Sequence, residues 1–341
     1  MRPLLRVTCL LATTATLVAL ATGCGSSNGG GGDSIVLYNG QHPQLTTAIV
    51  SAFEKKTGIS VRVRSNDSVV LADQILQEGK TTPADVYLSE NSPEIMALEE
   101  HGLLAKLPAS TLSQVPAVDS SPAGDWAGVA LRVSSLVYNP SKVKESMLPS
   151  SVLDLAKPEW KGKVAIAPSD SDFPPIVSAV RVKYGEKAAA EWLAGLKRNA
   201  RTYQDEEAVV AAVNRGDVAT GIINHYYWYR LRLEIGASAM HSALHYFPST
   251  DAGSITNISG VGVLATSKHA QAAREFVDFL ISQTGQKILA SGDDYEYPAR
   301  TDVAANPALP PLATIPHARV SVTALGDDKG VLALLENAGL L

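Results

Sequence analysis

Four side chains in this sequence have the types and settings to hold a hard metal ion: His42, Glu90, Tyr226 and Tyr227. His42 follows the turn Asn39-Gly40-Gln41, and Glu90 follows the β-rich run Val86-Tyr87-Leu88. Tyr226 and Tyr227 follow a second β-rich run, Val218–Ile223, at the start of a helical pattern. A phenol has an ordinary pKa near 10, so its oxygen is free to coordinate only where a strong cation displaces the proton. Two phenolates and a carboxylate place three negative charges on one ion. That suits a trivalent cation better than Zn²⁺ or Ca²⁺, whose usual donors are His and Cys, or carboxylates with carbonyls. Taken singly, each residue has a blander reading: aromatic packing for Tyr226-Tyr227-Trp228-Tyr229, a surface imidazole for His42, a helix-dipole carboxylate before Pro93 for Glu90.

The elements that must position these groups alternate between short β-rich runs and amphipathic helices. Strands are expected at 35–38, 59–64 and 85–88, with helices at about 44–56 and 69–79 and another opened by Pro93 at its first position. Residues 126–139 read as a strand that leaves this first unit. A second α/β unit follows, with a strand at 163–167, helices at about 175–184, 186–197 and 206–215, and a strand at 218–223. Asn224 is expected to cap a helix running through Glu234 and ended by Gly236. A strand at 261–264 and a helix at 270–282 return to the first unit, and the Pro- and Ala-rich stretch 298–316 reads as a surface connection. Strand–helix alternation of this kind makes parallel, doubly wound sheets. The fold expected is therefore α/β with two lobes, residues 34–131 plus 257–307 and residues 132–256 plus 308–341, joined by hinge strands. Ligands in such sheets sit outside the carboxyl ends of the strands, where His42, Glu90 and the tyrosine pair fall.

The composition fits this scheme. A chain of 341 residues, 45 % hydrophobic, has apolar material for two cores, and a net charge of −5 leaves no basic footprint for nucleic acid. The first 23 residues read as a secretory signal: Arg2 and Arg6, then an apolar run from Val7 to Ala21 too short for a comfortable membrane span. Ala21-Thr22-Gly23-Cys24 resembles a bacterial lipobox, which makes Cys24 the expected lipid-bearing N-terminus. Residues 25–32, rich in Gly and Ser, then form a flexible tether through 33. Loss of the two positive charges of Arg2 and Arg6 takes the net charge from −5 to −7. The only other cysteine, Cys9, leaves with the signal, so neither a disulfide nor a thiolate metal site is expected.

Five segments together resemble the ferric-binding proteins of iron ABC importers: Asn39-Gly40-Gln41-His42, Ser89-Glu90-Asn91-Ser92-Pro93, Leu136-Val137-Tyr138-Asn139-Pro140, Trp160-Lys161-Gly162-Lys163 and Asn224-His225-Tyr226-Tyr227-Trp228. The likeness runs in order over roughly residues 34–300. It implies a two-lobed periplasmic-binding fold of type II that binds Fe³⁺ through one His, one Glu and two adjacent Tyr, matching His42, Glu90, Tyr226 and Tyr227. It also implies a non-enzymatic protein, monomeric by analogy and held at the outer face of the cell membrane, that delivers its ion to a permease driven by an ATPase. In that family an anion such as phosphate or carbonate completes the iron shell, and here the sequence departs from the pattern. The loop that commonly reads Pro-Thr-Ser-Gly-Ala-Phe is Pro168-Ser169-Asp170-Ser171-Asp172-Phe173, and an Asn often found ahead of the tyrosine pair matches Glu206. Asp170, Asp172 and Glu206 would repel an anion, while Arg132 and Asn224 match residues that can face one. Either a carboxylate, foremost Asp172, replaces the anion, or the anion sits in a different geometry that involves Ser169 and Ser171. His225 is expected behind the ligands or in solvent.

Two rivals remain at this level. The same fold would serve an organic solute or oxyanion held by Arg132 and the aromatics. A surface hydrolase would need a nucleophile constellation, and the candidates are poor: Ser141-Lys142-Val143-Lys144 fits S-x-x-K, but Lys56-Thr57-Gly58 precedes it and reads as a helix end with Gly past its last turn.

Overall fold

The computed structural model describes residues 33–326 and 329–341. The signal segment, Cys24 and the tether up to residue 32 lie outside the described residues.

The chain begins with β1 (Ser34–Asn39), α1 (Pro43–Thr57), β2 (Ser60–Ser65), α2 (Ser68–Glu78), β3 (Val86–Ser89) and α3 (Ser92–Glu100). β1 pairs in parallel with both β2 and β3, as expected of right-handed strand–helix–strand units. α1 buries Leu45, Ile49, Val50 and Phe53 on one face. It ends at Gly58, whose φ of 76° is left-handed and whose N–H bonds Glu54 O, so Lys56-Thr57-Gly58 is a helix terminus. Pro93 stands at the second position of α3 rather than the first; its missing N–H is equally harmless there.

A short helix, α4 (Ala109–Leu112), leads to β4 (Trp126–Tyr138), buried along its whole length. β4 is the spine of the molecule. Its residues 126–133 pair with β9 (Thr256–Val263), while 134–138 pair with β7 (Thr220–Asn224). The change of partner falls between Val133 and Ser134. Between β4 and β9 the chain builds β5 (Val164–Ile166), α5 (Pro174–Tyr184), α6 (Glu186–Asn199), β6 (Ala200–Thr202), α7 (Glu206–Arg215), β7, α8 (His225–Ile235) and β8 (Ala243–His245). β5 is parallel to β6 and β7. β9 then returns antiparallel to β3. The strand order is β2-β1-β3-β9-β4-β7-β5-β6, one hydrogen-bonded path with two doubly wound halves meeting at β4.

Three departures from expectation have clear causes. β9 begins at Thr256, five residues before the expected start, because Thr256-Asn257-Ile258-Ser259-Gly260 is too polar and glycine-containing to read as a strand. The helix after it, α9 (Ala270–Ile281), is followed by a separate α10 (Gln283–Ser291), with the Ser282 side chain accepting the Gly285 N–H at the new N-terminus. β10 (Tyr297–Pro298) pairs with β4. The chain then crosses to the second half, where Ala318 bridges Ile255, and ends with α11 (Val322–Leu325) and α12 (Lys329–Asn337), the latter packed on α5 and α6.

Each half has its own core. α9 lays Ala273, Phe276, Val277 and Leu280 against Phe53, Leu37 and Val263, the i, i+3, i+4, i+7 stripe of a core-facing helix. In the second half Trp192, Leu193 and Leu196 of α6 pack with Val164, Ile166 and Ile222. Full burial of one such side chain is worth about 1.5–3 kcal/mol, so both halves are held as rigid supports for what lies between them. Among the described residues no helix is long and apolar enough to cross a membrane.

Candidate metal centre

The parallel strands of each half end at the same place. From the first half, β1 ends at Asn39 and the turn puts His42 just ahead of α1, where Pro43 starts the helix. The His42 N–H donates to Gln41 Oε1 at 2.8 Å, and its carbonyl accepts the Thr46 N–H at 3.1 Å. Glu90 follows β3, with its N–H donating to Ser68 Oγ at 2.8 Å. From the second half, β7 delivers Tyr226 and Tyr227 into the first turn of α8, where the helix dipole favours negative charge. Neighbouring residues on a helix ordinarily diverge by about 100°. These two rings nevertheless lie 4.1 Å apart because both hydroxyls donate to Asp172 Oδ2, at 2.7 Å from Tyr226 and 3.1 Å from Tyr227.

The two half-sites meet. Tyr226 Oη lies 3.3 Å from Glu90 Oε1, His42 Nε2 lies 3.4 Å from the same oxygen, and the His42 and Tyr226 rings touch edge to face at 5.2 Å. Protein bonds also span the cleft: Asn91 Nδ2 donates to Asp172 Oδ1 at 3.2 Å and to Ser171 O at 3.1 Å, and Ser171 Oγ donates to Glu90 Oε2 at 3.3 Å. Arg132, fully buried at the point where β4 passes between the halves, sits 2.9 Å from Glu90, 3.5 Å from Glu296 and 3.7 Å from Asp172, and Nη2 donates to Asn91 Oδ1. Arg132 and Glu90 stand at ion-pair distance without an aligned hydrogen bond, since Nη1 and Nε have no hydrogen-bond partner. Among the described residues no three His, Cys, Asp or Glu side chains make a metal-sized group on their own. A cation here would need the phenol oxygens.

Burial governs the electrostatics. It pushes the Tyr226 and Tyr227 hydroxyls well above the ordinary phenol range, and the adjacent Asp172 charge adds to this. Glu90 is raised for the same two reasons, against the pull of Arg132. Burial also pushes Asp172 upward, but the Arg132 charge and the hydrogen bonds from Tyr226 and Asn91 outweigh it and hold this carboxyl below its ordinary value. His42 falls to about 3 through burial and the nearby Arg230 and Arg132 charges, so its ring is neutral. A neutral imidazole, a carboxylate already ionised, a raised carboxyl and two phenols that keep their protons until a strong cation arrives are donors that would suit a hard cation.

The remaining predicted residues separate into groups. Asp172 and Ser171 face the centre. Asp170 turns away, accepting the N–H groups of Glu206 and Asp172, and burial with the Asp172 charge raises it to about 7. Glu206 Oε2 accepts the Asn224 N–H at 2.5 Å and so fixes the β7–α8 corner behind the tyrosines. Ser169 is apart from the site, its hydroxyl donating to Gln204 O. Asn224 stands at the expected cap position of α8, yet its amide makes no capping bond, and both amide atoms are buried without a partner. His225 is fully buried, not solvated: Nδ1 accepts the Val133 N–H at 3.2 Å, and the ring stacks on Tyr297 at 5.1 Å. Sequence reasoning assigned nothing to Gln41, Asn91, Arg230, Asp294 or Glu296, all of which lie around the centre. The acid–aromatic run Asp293-Asp294-Tyr295-Glu296-Tyr297 was a signal available for the last two.

With fold and site in view, the chain belongs to the bacterial extracellular solute-binding proteins, a family whose description matches residues 36–292. Within it, the kinship is with iron binders. An Fe(3+)-binding periplasmic protein of Serratia marcescens is 42 % identical over 307 residues, 90 % of each chain. Iron-bound HitA of Pseudomonas aeruginosa superposes with a TM-score of 0.86 at 39 % identity, over 90 % of this chain and 99 % of that one. Trichodesmium FutA, in complex with iron and citrate, gives 0.79 at 29 % identity over 90 % and 99 %. The likeness to ferric-binding proteins and the two-lobed type II fold, both expected from the motifs, are borne out.

Proposed function

We propose that this protein captures ferric iron between its two lobes and hands it to the permease of an ABC importer. The observation that carries the reading is the convergence of His42 and Glu90 from one half with Tyr226 and Tyr227 from the other. These four serve as the iron ligands. The lobes are residues 34–131 plus 257–307 and 132–256 plus 308–341, hinged where β4 and β9 cross. In the open form the ion meets the two phenols. Rotation then brings His42 and Glu90, and because the ion bridges both lobes its affinity for the closed state exceeds that for the open one, which drives closure.

Asp172 takes the place of the exogenous anion. Its carboxylate is ionised and already holds the hydroxyls of Tyr226 and Tyr227, so an added anion would have to displace it from both phenols. Arg132, engaged by three carboxylates and Asn91, balances this charge instead of receiving an anion. That Asp172 is held by two phenols and Asn91 supports this reading over an oxyanion cargo, which would meet the Asp172 carboxylate where its own charge must sit. The protein works as a monomer outside the cytoplasm, tethered through a lipid on Cys24, and it catalyses no reaction.

The test is optical. Ferric citrate added to the purified protein should raise a visible tyrosinate-to-iron absorption band, lost stepwise in Tyr226→Phe and Tyr227→Phe. A colourless protein that retains iron would remove the phenols from the ligand set; one that takes up no iron would leave only the fold.

A further inference from the structure

The segment after α10 contains the one described non-glycine residue with a left-handed backbone, Tyr295, at φ 54°. A residue with a Cβ is held there only when its surroundings fix it, and such positions cluster where geometry matters. The Tyr295 ring is buried and packs on Tyr229 of α8 at 5.7 Å. This kinked residue lies between two buried carboxylates, Asp294 and Glu296, and both point at His42. Asp294 Oδ1 lies 3.5 Å from His42 Nδ1, the outer edge of hydrogen-bond distance, and Glu296 Oε1 lies 3.9 Å from it. Glu296 also accepts from Gln41 Nε2 at 2.9 Å, and Gln41 Oε1 in turn holds the His42 N–H. One strained turn thus reaches His42 at its ring and, through Gln41, at its backbone.

We propose that Asp294 is the positioning residue of the His42 ligand: its carboxylate accepts a hydrogen bond from Nδ1–H, which fixes the tautomer with Nε2 unprotonated and aims Nε2 at Glu90 and Tyr226, with Glu296 fixing the backbone through Gln41. This rests on the iron reading above. An imidazole has two tautomers, and only the one whose proton sits on Nδ1 presents a lone pair to the cleft. Metal-binding imidazoles are generally oriented by such a partner on their other nitrogen, and its loss weakens metal binding about 10- to 100-fold. Among the described residues His42 Nδ1 and Asp294 Oδ2 are both buried without an aligned hydrogen bond, and Asp294 is the nearer of the two carboxylates beside that nitrogen.

The experiment uses the full-length protein, Fe³⁺ and a competing chelator. Asp294→Asn should bind iron about 10- to 100-fold more weakly, while its tyrosinate band keeps its intensity at saturation. Nitrogen NMR of the His42 ring in the iron-free protein should show the Nδ1–H tautomer in the wild type and a mixture in Asp294→Asn. Because Asp294 acts through His42, adding Asp294→Asn to His42→Gln should weaken binding no further. Equal affinity of Asp294→Asn and wild type, an unchanged tautomer, or full additivity with His42→Gln overturns the proposal. Absence of the band in the wild type overturns the iron reading instead.

Discussion

Replacing Asp172 by Asn keeps the shape of the side chain and removes its charge, and the structure sets the consequence with and without iron. Without iron, the carboxylate accepts three hydrogen bonds, from Tyr226, Tyr227 and Asn91. A bond to an ionised acceptor contributes about 1.5–3 kcal/mol and a neutral one about 0.5–1.5, so neutralisation loses about 3 kcal/mol over the three. Part of this returns, because Glu90, Asp170 and Glu206 are each pushed up by the Asp172 charge. Arg132 keeps its ion pairs with Glu90 and Glu296. The net cost is about 1–2 kcal/mol, a fall of about 1.5–3 °C in the melting midpoint of a chain this long. The carboxyl is held below its ordinary value, so this contribution is present above the unfolded Asp pKa and fades as pH falls through the lower folded value. With iron the loss is larger, since one buried charged partner of the ion disappears, at about 2–5 kcal/mol or about 30-fold and more in affinity. Chelator competition with and without phosphate measures it. Wild-type affinity should not respond to phosphate, whereas Asp172→Asn should bind weakly alone and recover in part when phosphate is supplied. A wild type that needs phosphate, or an Asp172→Asn protein that binds normally without it, refutes the reasoning.

Iron should expel protons, because burial and the Asp172 charge hold Tyr226 and Tyr227 protonated and push Glu90 toward its protonated form. Fe³⁺ added in weak buffer should acidify the solution and bind more tightly as pH rises, with one proton fewer in Tyr226→Phe; an indicator dye that records no release counts against phenolate ligation. Gly128→Ala should lower the melting midpoint and leave the visible band unmoved, since a Cβ there would stand 2.1 Å from the Asp119 carbonyl oxygen, an overpacking worth about 1–3 kcal/mol. Arg319→Ala should also destabilise without altering iron binding: Asp119, 1 % exposed, loses both of its Nη1 contacts at 2.6 and 2.7 Å. Arg319 is one-third exposed, which limits that cost to about 1–3 kcal/mol.

Much of this was legible in the sequence because local pattern and global fold agree. Strand–helix alternation located β1 to α3 within a residue or two, and the long apolar run 126–139 was recognisable as the strand that leaves the first unit. The failures fall where residues answer to the cleft instead of to a core. Thr256, Asn257 and Ser259 of β9 are polar because they cross between the lobes, which hid the strand's first half. Ser282 looks like a helix end and is one, but it also starts α10, and missing that helix left the turn 293–297 without a place. Asp294 and Glu296 were therefore invisible as neighbours of His42, more than 250 residues away. Asp170 and Glu206 were singled out by their charge, yet they bind backbone N–H groups; nothing in a sequence tells a carboxylate aimed at a ligand from one aimed at a loop.

With the proposed ligand set, charge accounting favours a trivalent ion. The phenols are held protonated and His42 neutral, burial and the Asp172 charge push Glu90 toward its protonated form, and the Asp172 carboxylate lies against the Arg132 guanidinium. Were Fe³⁺ to displace one proton from each phenol and one from Glu90, the buried charge would be unchanged and the desolvation penalty that burial imposes on net charge would be avoided. A divalent ion that drew the same three oxygens would leave one buried negative charge uncompensated. If it left one oxygen protonated to avoid that, it would forfeit a donor. On the proposed ligand set, discrimination would come from how deeply Tyr226 and Tyr227 are buried. Were the pair exposed, water would solvate the excess charge and any hard cation would serve.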